Sequence, residues 1–573
     1  MRCKAYVVIT VFFMLFVSIC ESQTNFVDQA TVLGIGVSCG DVPIGNGITF
    51  YDYNDDGWDD ITLATQTGEP IRFFKNMNGV FIEETLNIPN NLSQMKQVNW
   101  VDYDNDGALD LFVTSNVSGN KLYRNDGNFN FSDVTSESQL PLQNISTYGA
   151  SWGDYNNDSY LDVFLSSRDI AEVIPNYLYR NNGDGTFTNV SEFAGILNTS
   201  NLSFCSAFFD FNNDGCQDIY VSTDRINNKN VLYKNNCDGT FTDVSESSNT
   251  DLYIDAMSVT IDDYNSDGWL DIYVTNTPSG NVLLRNNGDE TFTNVAMTTG
   301  TTFNSIGWGA VFLDAENDMD LDLYVSGLLD GSNTNFLSAA FYENNGLGNF
   351  TIPSTGFFND NRESYSNAIG DIDNDGFPEI AVSNADNENI FIWKNEAPIS
   401  NNWLKVKLEG TLSNKRGVGS LIEVSINGIK QYRYTLCGEG YLAQNSGTEV
   451  FGLGNNATID YIKVNWLSGL VDIIDNVSAN QLITIVEGSN LLSEVEYSTE
   501  IISLVPNPVS DLLKITSLTP IETLEIYNSI GQKVIEMNQE NIEFVDMSKF
   551  ESGIYFFKLM TNQQTKTMRI LKY

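Results

Sequence analysis

Two kinds of short segment alternate along the first 400 residues, and the hydrophobic pattern of both is that of β-strands. The first kind is an Asp-rich loop between β-branched and aromatic runs, as in GITFY before Asp52 and ITLAT after Asp60. The second kind is an aromatic run, an Asn/Gly/Asp turn and a Thr/Phe/Val run, as in LYRNNGDGTFTNVS from Leu178. Runs of this composition that are bounded by turn residues predict β-hairpins. One pair of segments therefore predicts four short strands.

This pair of segments repeats along the chain. The Asp-rich loops begin at Asp52, Asp102, Asp154, Asp210, Asp263, Asp314 and Asp371, which gives a period of 50 to 57 residues. Four strands in about 50 residues is the size of one β-propeller blade. The seventh repeat stops at Asn395 without its last strand, whereas a matching strand stands at residues 25–30. We predict an all-β fold, with a seven-bladed β-propeller over residues 23–399 whose N-terminal strand completes the last blade and removes the exposed sheet edges. An open β-solenoid would leave the complementary ends unexplained.

The N-terminus has a different pattern. Arg2 and Lys4 precede an apolar run at residues 5–19, which predicts a secretory signal peptide over residues 1–22. A lipoprotein signal at Cys20 is the alternative, although Ile19 is large where a small residue is expected before a lipidated cysteine. No later stretch approaches the roughly 18 apolar residues that a membrane-spanning helix needs, so we predict no transmembrane segment.

Two further β-domains follow the repeats. Residues 400–488 alternate strand-like runs with glycine turns, residues 489–500 form an acidic linker, and residues 501–573 again have a strand pattern. The first of these domains holds basic residues that could form one basic face, although we favour a solvated β-surface; they are Lys405, Lys407, Lys415, Arg416, Lys430 and Arg433.

The composition limits the chemistry that the chain can carry out. Its 573 residues include 29 Lys+Arg, 75 Asp+Glu and no histidine, which gives a formal net charge of −46. The lack of histidine excludes Ser-His-Asp and Cys-His relays, histidine zinc ligands and an imidazole base. The negative charge argues against nucleic acid as a partner, because phosphate contacts need Lys and Arg.

The cysteines do not form a regular disulfide framework. Outside the signal region there are five, an odd number at irregular spacings: Cys39, Cys205, Cys216, Cys237 and Cys437. One local bridge among Cys205, Cys216 and Cys237 is the alternative to buried or free thiols. No CxxC pair occurs, so a zinc site or a thioredoxin-type site has little support.

The Asp-rich loops have the donor pattern of a hard-cation site. When each loop is numbered 1 to 9 from its first Asp, side-chain oxygens fall at positions 1, 3, 5 and 9, and glycine usually stands at position 6. Calcium takes about six to eight oxygen ligands, and glycine permits the sharp turn that wraps a chain around it. Position 12, where an EF-hand needs glutamate, is an apolar strand residue in every loop, from Leu63 to Val382.

The loops resemble the calcium loops of FG-GAP/VCBS repeats, as in integrin α-subunit propellers, over residues 23–399. The resemblance implies up to seven calcium ions. Ser159 replaces the position-6 glycine of the third loop, and the sixth loop departs most, with Glu316 at position 3 and Met319 at position 6, so we expect its site to be the weakest or empty. The implied ligands are Asp52, Asn54, Asp56 and Asp60; Asp102, Asp104, Asp106 and Asp110; Asp154, Asn156, Asp158 and Asp162; Asp210, Asn212, Asp214 and Asp218; Asp263, Asn265, Asp267 and Asp271; Asp314, Glu316, Asp318 and Asp322; and Asp371, Asp373, Asp375 and Glu379.

Asx-type turns that cap hairpins without a metal are the alternative for these loops. We favour the metal because three or four carboxylates within nine residues repel one another strongly unless a cation is bound. We expect the calcium to be structural, since no loop combines an open coordination position with an obvious base, as a catalytic metal needs.

The two C-terminal segments also resemble known families. Residues 400–488 resemble the ASPIC/UnbV domain of cartilage-acidic-protein-like proteins, on GYL at 440–442, FGLG at 451–454 and WLSG at 466–469. Residues 501–573 resemble the C-terminal sorting domain of the Bacteroidota type IX secretion system, on LVPNP at 504–508 and GIYFFK at 553–558. This implies export by the type IX machinery, removal of the tail, and release or attachment at the outer cell surface. An ordinary small β-sandwich is the alternative.

These features together predict a secreted or surface-displayed calcium-binding propeller that serves adhesion or binds protein or glycan. A propeller lectin is an alternative within the binding class. An extracellular polysaccharide-active enzyme, such as a propeller lyase, is the alternative from another class. Because there is no histidine and no acid/base pair stands apart from the calcium loops, we expect that the chain is not an enzyme.

Overall fold

The structure is a computed structural model that describes residues 25–171, 173–197, 202–354, 356–357, 359–397 and 401–489, and, nearer the C-terminus, 503–505, 509–517, 520–528, 532–538, 542, 544–560 and 565–572. Its described elements are strands apart from two single-turn helices, α1 (Ser191–Ala194) and α2 (Ala296–Thr299), so the predicted all-β class is confirmed. The chain divides into two compact units after residue 491. The predicted signal peptide, the alternative lipidation site at Cys20 and nearly all of the predicted linker lie outside the described residues.

Seven four-stranded antiparallel sheets follow one another in the described part of the repeat region. Six of them are built from four consecutive strands, and the seventh takes its outer strand from the N-terminus. The strands are β1 (Phe26–Asp28); β2 (Ile48–Tyr51), β3 (Asp60–Leu63), β4 (Arg72–Asn76) and β5 (Phe81–Glu84) in the first sheet; β6 (Val98–Val101), β7 (Asp110–Val113), β8 (Lys121–Asn125) and β9 (Phe131–Asp133) in the second; β10 (Thr147–Gly153), β11 (Asp162–Ser167), β12 (Tyr177–Asn181) and β13 (Phe187–Asn189) in the third; β14 (Ser203–Phe209), β15 (Asp218–Thr223), β16 (Val231–Asn235) and β17 (Phe241–Asp243) in the fourth; β18 (Thr260–Asp262), β19 (Asp271–Val274), β20 (Val282–Asn286) and β21 (Phe292–Asn294) in the fifth; β22 (Gly307–Leu313), β23 (Asp322–Gly327), β24 (Ala339–Asn344) and β25 (Phe350–Thr351) in the sixth; and β26 (Ser364–Gly370), β27 (Glu379–Asn384) and β28 (Phe391–Asn395) in the seventh.

The N-terminal strand closes the array of sheets into a ring. β1 pairs antiparallel with β28, with Phe26 opposite Asn395, and is the fourth strand of the seventh sheet, as predicted. The first strands of neighbouring sheets lie side by side, and β2 contacts both β6 of the second sheet and β26 of the seventh. Every residue of β10, β14 and β22 is buried, because these first strands line the centre of the ring. The repeated four-stranded sheets are those of a β-propeller.

Aromatic side chains fill the space between neighbouring sheets. The residue at position 2 of an Asp-rich loop packs on the Phe that begins the fourth strand of a following sheet. Tyr103 lies 6.0 Å from Phe187 between ring centroids, and Tyr155 lies 5.6 Å from Phe241. Such contacts explain why an aromatic residue recurs at both places, since aromatic pairs add to the stability that burial already provides.

Residues 402–489 form a cap domain of two sheets that share one apolar core. Leu404, Val406, Ile422, Phe451 and Ile462 are all fully buried in that core. The sheets are ordered β32-β29-β35 and β31-β30-β33-β34. The strands are β29 (Asn402–Glu409), β30 (Leu421–Ile426), β31 (Ile429–Tyr434), β32 (Thr448–Gly454), β33 (Thr458–Asn465), β34 (Val471–Ser478) and β35 (Gln481–Val486).

A segment of the cap domain, residues 437–446, enters the centre of the ring, and we call it the plug. The side chain of Gln444 accepts the backbone N–H of Trp100 at 2.8 Å and donates to its carbonyl at 2.9 Å. The carbonyl of Cys437 accepts the N–H of Trp152 at 2.9 Å, and the N–H of Gly440 donates to Val259 at 3.0 Å. The plug therefore contacts the first strands of several sheets and fills the central channel.

Three of the six basic residues of the cap domain face the propeller, so the prediction of a solvated β-surface is wrong for them. Lys430, in contrast, is exposed. Lys405 Nζ lies 3.0 Å from Asp371 Oδ2, with both side chains at least 95% buried. Lys407 and Arg416 both pair with Asp55, at 3.0 and 2.7 Å. These side chains contact the acidic loops of the propeller, a pairing that the sequence of the cap domain alone does not reveal.

One disulfide joins Cys216 of the fourth Asp-rich loop to Cys237 of the hairpin in the same sheet. Cys39, Cys205 and Cys437 are buried free thiols. The open choice between a local bridge and free thiols is thus resolved in favour of one bridge, with Cys205 outside it.

The second compact unit is a pair of packed sheets, ordered β36-β37-β40 and β39-β38-β41-β42. Leu513, Leu524, Ile526 and Phe557 are fully buried in its core. Across the described residues of the whole chain, no helix has the length and apolar character to cross a membrane. The strands are β36 (Ser503–Val505), β37 (Leu512–Thr516), β38 (Thr523–Asn528), β39 (Lys533–Asn538), β40 (Phe544–Asp546), β41 (Gly553–Met560) and β42 (Thr565–Lys572).

Candidate metal centres

The seven Asp-rich loops join the first and second strands of the seven sheets, and all share one hydrogen-bond pattern. The position-1 carboxylate accepts the backbone N–H groups of positions 5 and 6, at 2.7–3.2 Å in all loops. The position-5 carboxylate in turn accepts the N–H of position 7, as Asp106 does from Ala108 at 2.8 Å. The short acidic side chains thus coil the backbone around themselves, which is the local chemistry of Asx turns.

Positions 4 and 6 hold left-handed backbone conformations. Asp55 and Gly57 of the first loop have φ of 56° and 87°. Ser159 and Met319, which replace glycine at position 6, have φ of 79° and 86° and so follow the same turn. A left-handed conformation costs a non-glycine residue roughly 1–2 kcal/mol. The third and sixth loops therefore keep the common shape at a cost that the other loops avoid.

In the first six loops, the position-9 carboxylate ties the loop to the hairpin of its own sheet. Asp110 accepts the N–H of Asn125 at 2.8 Å and the N–H of Tyr103 at 3.3 Å. The Asn that ends the third strand also reaches a neighbouring loop, since Asn181 Nδ2 donates to the carbonyl of Tyr103 at 2.7 Å. The loops, the hairpins and adjacent sheets are thus held in one network, with the position-9 acid at its centre.

Several predicted ligand oxygens are buried and have no hydrogen-bond partner. Four of them belong to position 3 and two to position 9, so they recur at the same places in five different loops. A buried polar atom without a partner costs free energy unless a ligand or water satisfies it. The atoms are Oδ1 of Asp104, Asn156, Asn212 and Asp373, Oδ2 of Asp271 and Oε1 of Glu379.

In two loops the carboxylates are close enough for one ion to bridge them. Oxygens of Asp102, Asp104 and Asp110 lie within 4.8 Å of one another, as do oxygens of Asp371, Asp373 and Glu379. Calcium binds oxygen at about 2.3–2.6 Å, so two ligands on opposite sides of the ion stand about 5 Å apart. The second and seventh loops therefore fit a calcium ion, both in donor type and in spacing.

Several buried carboxylates of these loops have raised pKa values, among them those at position 9 of the first and second loops. Burial, followed by the charges of neighbouring acids, raises the pKa of Asp110 to about 9 and that of Asp60 to about 8. Burial also raises the pKa of Asp154 to about 7. A nearby cation favours the ionised form and would remove this cost. The electrostatics of the loops thus match a bound divalent cation.

Lysine ammonium groups stand beside the first and seventh loops. Lys75 Nζ lies 3.0 Å from Asp56 Oδ2. Lys394 Nζ lies 2.5 Å from Asp373 Oδ2 and 3.7 Å from Glu379 Oε1. These ammonium groups balance part of the negative charge and leave Oδ1 of Asp373 without a hydrogen-bond partner.

The sixth loop is the most acidic. Asp320 occupies its position 7, and burial, followed by the charge of Asp318, raises the pKa of Asp320 to about 7. Glu316 is 5% exposed and lies against Asp322, whose pKa burial and then Glu316 raise. Whether this loop binds calcium weakly, as its Glu316 and Met319 suggest, stays a prediction.

A recurring residue at position 4 was missed by the ligand pattern. Asn157 donates to the carbonyl of Gly215 at 3.2 Å, Asn213 to Gly268 at 3.1 Å, Asn317 to Gly376 at 2.9 Å, and Asn374 to Gly57 at 3.0 Å. Each amide links its loop to position 6 of the next. The signal was present in the sequence, because Asn tolerates the left-handed conformation and recurs at this position.

In the first loop, Asp55 stands at position 4 instead of Asn. Arg416 of the cap domain binds both Asp55 and the carbonyl of Gly107, at 2.7 and 2.8 Å.

One further acidic group is not a metal site. Asp214, Cys216 and Cys237 lie close together, but the two sulfur atoms form the disulfide. A thiolate is the metal-binding form of cysteine, so neither sulfur can act as a ligand here. Asp214 remains the predicted position-5 ligand of the fourth loop.

Family models match three regions of the chain. The FG-GAP-like repeat matches residues 52–113, 102–165, 171–221, 210–274 and 263–325. The ASPIC and UnbV model matches residues 410–491, and the secretion system C-terminal sorting domain matches residues 503–573. The three resemblances stated from the motifs are thereby confirmed. The sorting domain marks a protein that type IX secretion delivers outside the cell or to its surface, as predicted.

Individual relatives are more distant. The chain is 26% identical over 275 residues to cartilage acidic protein 1 of Xenopus tropicalis, covering 45% of this chain and 41% of that protein. It is 25% identical over 320 residues to the human cartilage acidic protein 1, covering 49% and 47%. The chain thus spans less than half the length of these relatives. The extracellular domain of a putative one-component system from B. thetaiotaomicron is a similar solved structure, at 9% identity, with a TM-score of 0.39 and coverage of 95% of this chain and 73% of that chain.

Proposed function

We propose that this chain is a calcium-binding β-propeller protein, secreted or on the cell surface, which serves adhesion or binds protein or glycan. The calcium ions, up to seven, are structural, and the sixth loop binds most weakly or stays empty. The ligands are the residues at positions 1, 3, 5 and 9 of each loop.

The observation that carries the calcium proposal is the recurrence, at positions 3 and 9, of buried oxygens that lack a hydrogen-bond partner. They belong to Asp104, Asn156, Asn212, Asp271, Asp373 and Glu379. Unsatisfied buried oxygens are rare in proteins, and one accidental case would mean little. Equivalent positions in five loops share the feature, and the donors are the hard oxygens that calcium prefers. A common ligand at each loop accounts for all of them.

A structural role for the metal is supported by the contacts of the ligands. The position-1 and position-9 carboxylates also accept backbone N–H groups of the loop and the hairpin, as Asp102 and Asp110 do. An ion held by these oxygens would fix the loop that joins two strands. It would also neutralise carboxylates that repel one another, and thus stabilise the sheets on both sides.

Binding, and not catalysis, is the activity that we propose. The plug fills the central channel, and the cap domain lies over several of the Asp-rich loops, so access of a substrate to both places is restricted. Small-molecule sites are concave clefts with a few convergent polar groups. The outer edges and the opposite face of the ring remain for broad contacts with a protein or a glycan.

The calcium proposal is tested by ion content and affinity. We expect the chain, freed of metal and titrated with calcium, to bind several ions, with elemental analysis giving up to seven per chain. A calcium content no higher than that of the buffer after dialysis against about 1 mM calcium would contradict it.

The binding proposal is tested separately with a glycan array and a panel of extracellular proteins, each with and without calcium. We expect saturable binding that EGTA abolishes. Release of products from an acidic polysaccharide would contradict the claim that the chain is not an enzyme.

A further inference from the structure

The cap domain touches the Asp-rich loops at their apices, by which we mean positions 4–6 of each loop. The backbone N–H of Lys415 donates to Asn105 Oδ1 at 2.9 Å, and Ser159 Oγ donates to the carbonyl of Leu412 at 2.6 Å. On the other side of the ring, the N–H of Gly454 donates to the carbonyl of Asn317 at 2.8 Å. These contacts come from a loop and from a strand end of the cap domain. The cap therefore contacts several Asp-rich loops at once, and its docking depends on their conformation.

The fit between cap and apices is tight. A Cβ atom added at Gly376, the position-6 residue of the seventh loop, would lie 2.0 Å from the ring of Trp403. A Cβ atom added at Gly452 of the cap would lie 2.5 Å from the backbone of Asn317. Contacts this close permit little movement of a loop, because packed surfaces do not deform continuously. Docking of the cap therefore depends on the positions of the apices that it contacts.

The groups that fix the apices are the groups that would bind calcium. Asp371 holds the seventh apex by accepting the N–H groups of Asp375 and Gly376 at 3.2 and 2.9 Å. The other loops use their position-1 Asp in the same way. Without a cation, the carboxylates of a loop repel one another, and this repulsion destabilises the conformation of the apex. With a cation, they converge and keep the apex in the docked shape.

Charge on the facing surfaces adds to this dependence. A cavity of about 70 Å³ between cap and propeller is lined by Asp262, Asp314 and Asp371 from the propeller and by Glu439 and Glu449 from the cap, with Arg433 among them. The cap thus brings two acids towards an acidic face, and its cations Arg433 and Lys405 offset only part of the negative charge there. Like charges in a partly desolvated space repel strongly. A divalent cation in the seventh loop, which Asp371 would help to bind, would offset that repulsion.

We infer that cation occupancy of the Asp-rich loops controls docking of the cap domain and, with it, closure of the central channel by the plug. This inference rests on the proposed calcium binding and adds its consequence. The cap has a core of its own, around Leu404, Ile422 and Phe451, so it can loosen from the propeller without unfolding. Loosening withdraws the plug from the first strands of the sheets.

Hydrogen exchange of the whole chain tests the inference. The N–H groups of Gly440 and Ser446 donate to Val259 and Ile369 of the propeller, so a peptide over residues 437–446 reports docking. A peptide over residues 459–465, within β33, reports the core of the cap. In EGTA, below the melting temperature, we expect exchange of the plug to rise at least about ten-fold and that of β33 to change less than about two-fold.

The other outcomes separate this inference from the calcium proposal. If calcium binds by titration but the plug exchanges equally with and without it, the inference is overturned and the calcium proposal stands. If β33 loses protection to the same extent as the plug, the ions also hold the fold of the cap domain itself, and the inference is again overturned. If no calcium binds, both fail.

A pair of variants gives a second test, in which the direction of the change in calcium affinity decides between two explanations. Arg416 contacts Asp55 and Gly107 of two apices, whereas Lys430 pairs with Glu423 inside the cap at 2.6 Å. Direct electrostatics predict that loss of the Arg416 charge strengthens calcium binding by the loops. Coupling to docking predicts the reverse, because binding and docking favour each other reciprocally.

We expect Arg416→Ala to raise the calcium concentration for half-saturation about five-fold, and Lys430→Ala to leave it within about two-fold. Isothermal titration of the two variants and the unaltered chain measures both values. Tighter calcium binding by Arg416→Ala, or equal loss in both variants, would overturn the inference.

Discussion

Position 3 of the Asp-rich loops is filled by Asn54, Asn156, Asn212 and Asn265 in four loops and by Asp104 and Asp373 in two others. An amide oxygen and a carboxylate oxygen are both hard donors for calcium. In loops of both kinds the position-3 oxygen is buried without a hydrogen-bond partner, as in Asn156 and Asp104. The donor atom is therefore what this position has to supply, and the charge is secondary.

Substitution at this position gives a matched comparison. We expect Asp104→Ala to remove a ligand and to lower the calcium-dependent part of the stability by about 2 kcal/mol, which corresponds to loss of a well-populated site. Asp104→Asn keeps the donor oxygen that four other loops use and should retain most of that stability. Thermal melts in calcium and in EGTA measure the effect.

In EGTA the alanine variant should be as stable as the unaltered chain or more stable, because it removes a repelling carboxylate. Equal destabilisation by Asp104→Ala in both buffers would show that the side chain acts without a metal.

The pH dependence of the chelated protein follows from the raised pKa values. Asp110 and Asp60, with pKa values of about 9 and about 8 in the folded chain, hold protons that an unfolded carboxyl of pKa near 4 has released. The folded state thus binds more protons, so its stability falls as pH rises from about 4 towards 9. We expect the melting temperature in EGTA to be lower at pH 8 than at pH 5. In saturating calcium the difference should shrink, and an unchanged pH dependence would argue against the ion.

At the scale of elements, the strands and Asp-rich loops could be predicted because their signals are local and recur. The aromatic run, the turn and the Asp spacing repeat every 50 to 57 residues, so seven copies of the same pattern support one another. The closing strand could be predicted from the one repeat that lacks its partner. The plug could not be predicted, because residues 437–446 show no strand alternation. Nothing in their sequence indicates that they would lie in the centre of the ring.

The disulfide acts on one element, the fourth loop. It ties position 7 of that loop to the neighbouring hairpin across 21 residues. Closing a loop of this length stabilises a fold by about 3 kcal/mol in the chain-entropy model. We expect the Cys216→Ser/Cys237→Ser double variant to lose a stability of this order and to bind calcium less tightly at one site, as measured by melting and by titration.

The thiol count checks this assignment. Thiol labelling of the mature chain in denaturant should find the three thiols of Cys39, Cys205 and Cys437, and a count of five would contradict the bridge.

The plug offers a test through Tyr441, which is fully buried. Its hydroxyl donates to the carbonyl of Ile44 at 2.7 Å, and its ring lies 4.8 Å from that of Trp308. Truncation of a buried aromatic side chain costs about 3–5 kcal/mol, whereas loss of one hydrogen bond costs about 1 kcal/mol. We expect Tyr441→Ala to lower the melting temperature far more than Tyr441→Phe does. Equal effects would mean that the hydroxyl, and not the packed ring, holds the plug.

At the scale of the whole molecule, the negative charge that gives the net value of −46 is concentrated in particular regions and not spread evenly. The sequence pattern assigned much of the acid to the loops, but it did not reveal that Lys405, Lys407 and Arg416 of the cap face those acids. Such pairing joins residues more than 30 positions apart, and often more than 300, so no local signal reports it. The cap domain was predicted as a separate β-domain, and its role as the cover of the loop face emerged only from the contacts.

The central claim is that calcium in the Asp-rich loops stabilises the propeller, and a melting curve with and without EGTA tests it most directly. A ligand that binds the folded state alone stabilises it by about 2.7 kcal/mol at one hundred times its dissociation constant, and several sites add to one another. We predict that chelation lowers the melting temperature by many degrees and that added calcium restores it. A melting curve that EGTA leaves unchanged, with no calcium found by elemental analysis, would contradict the account.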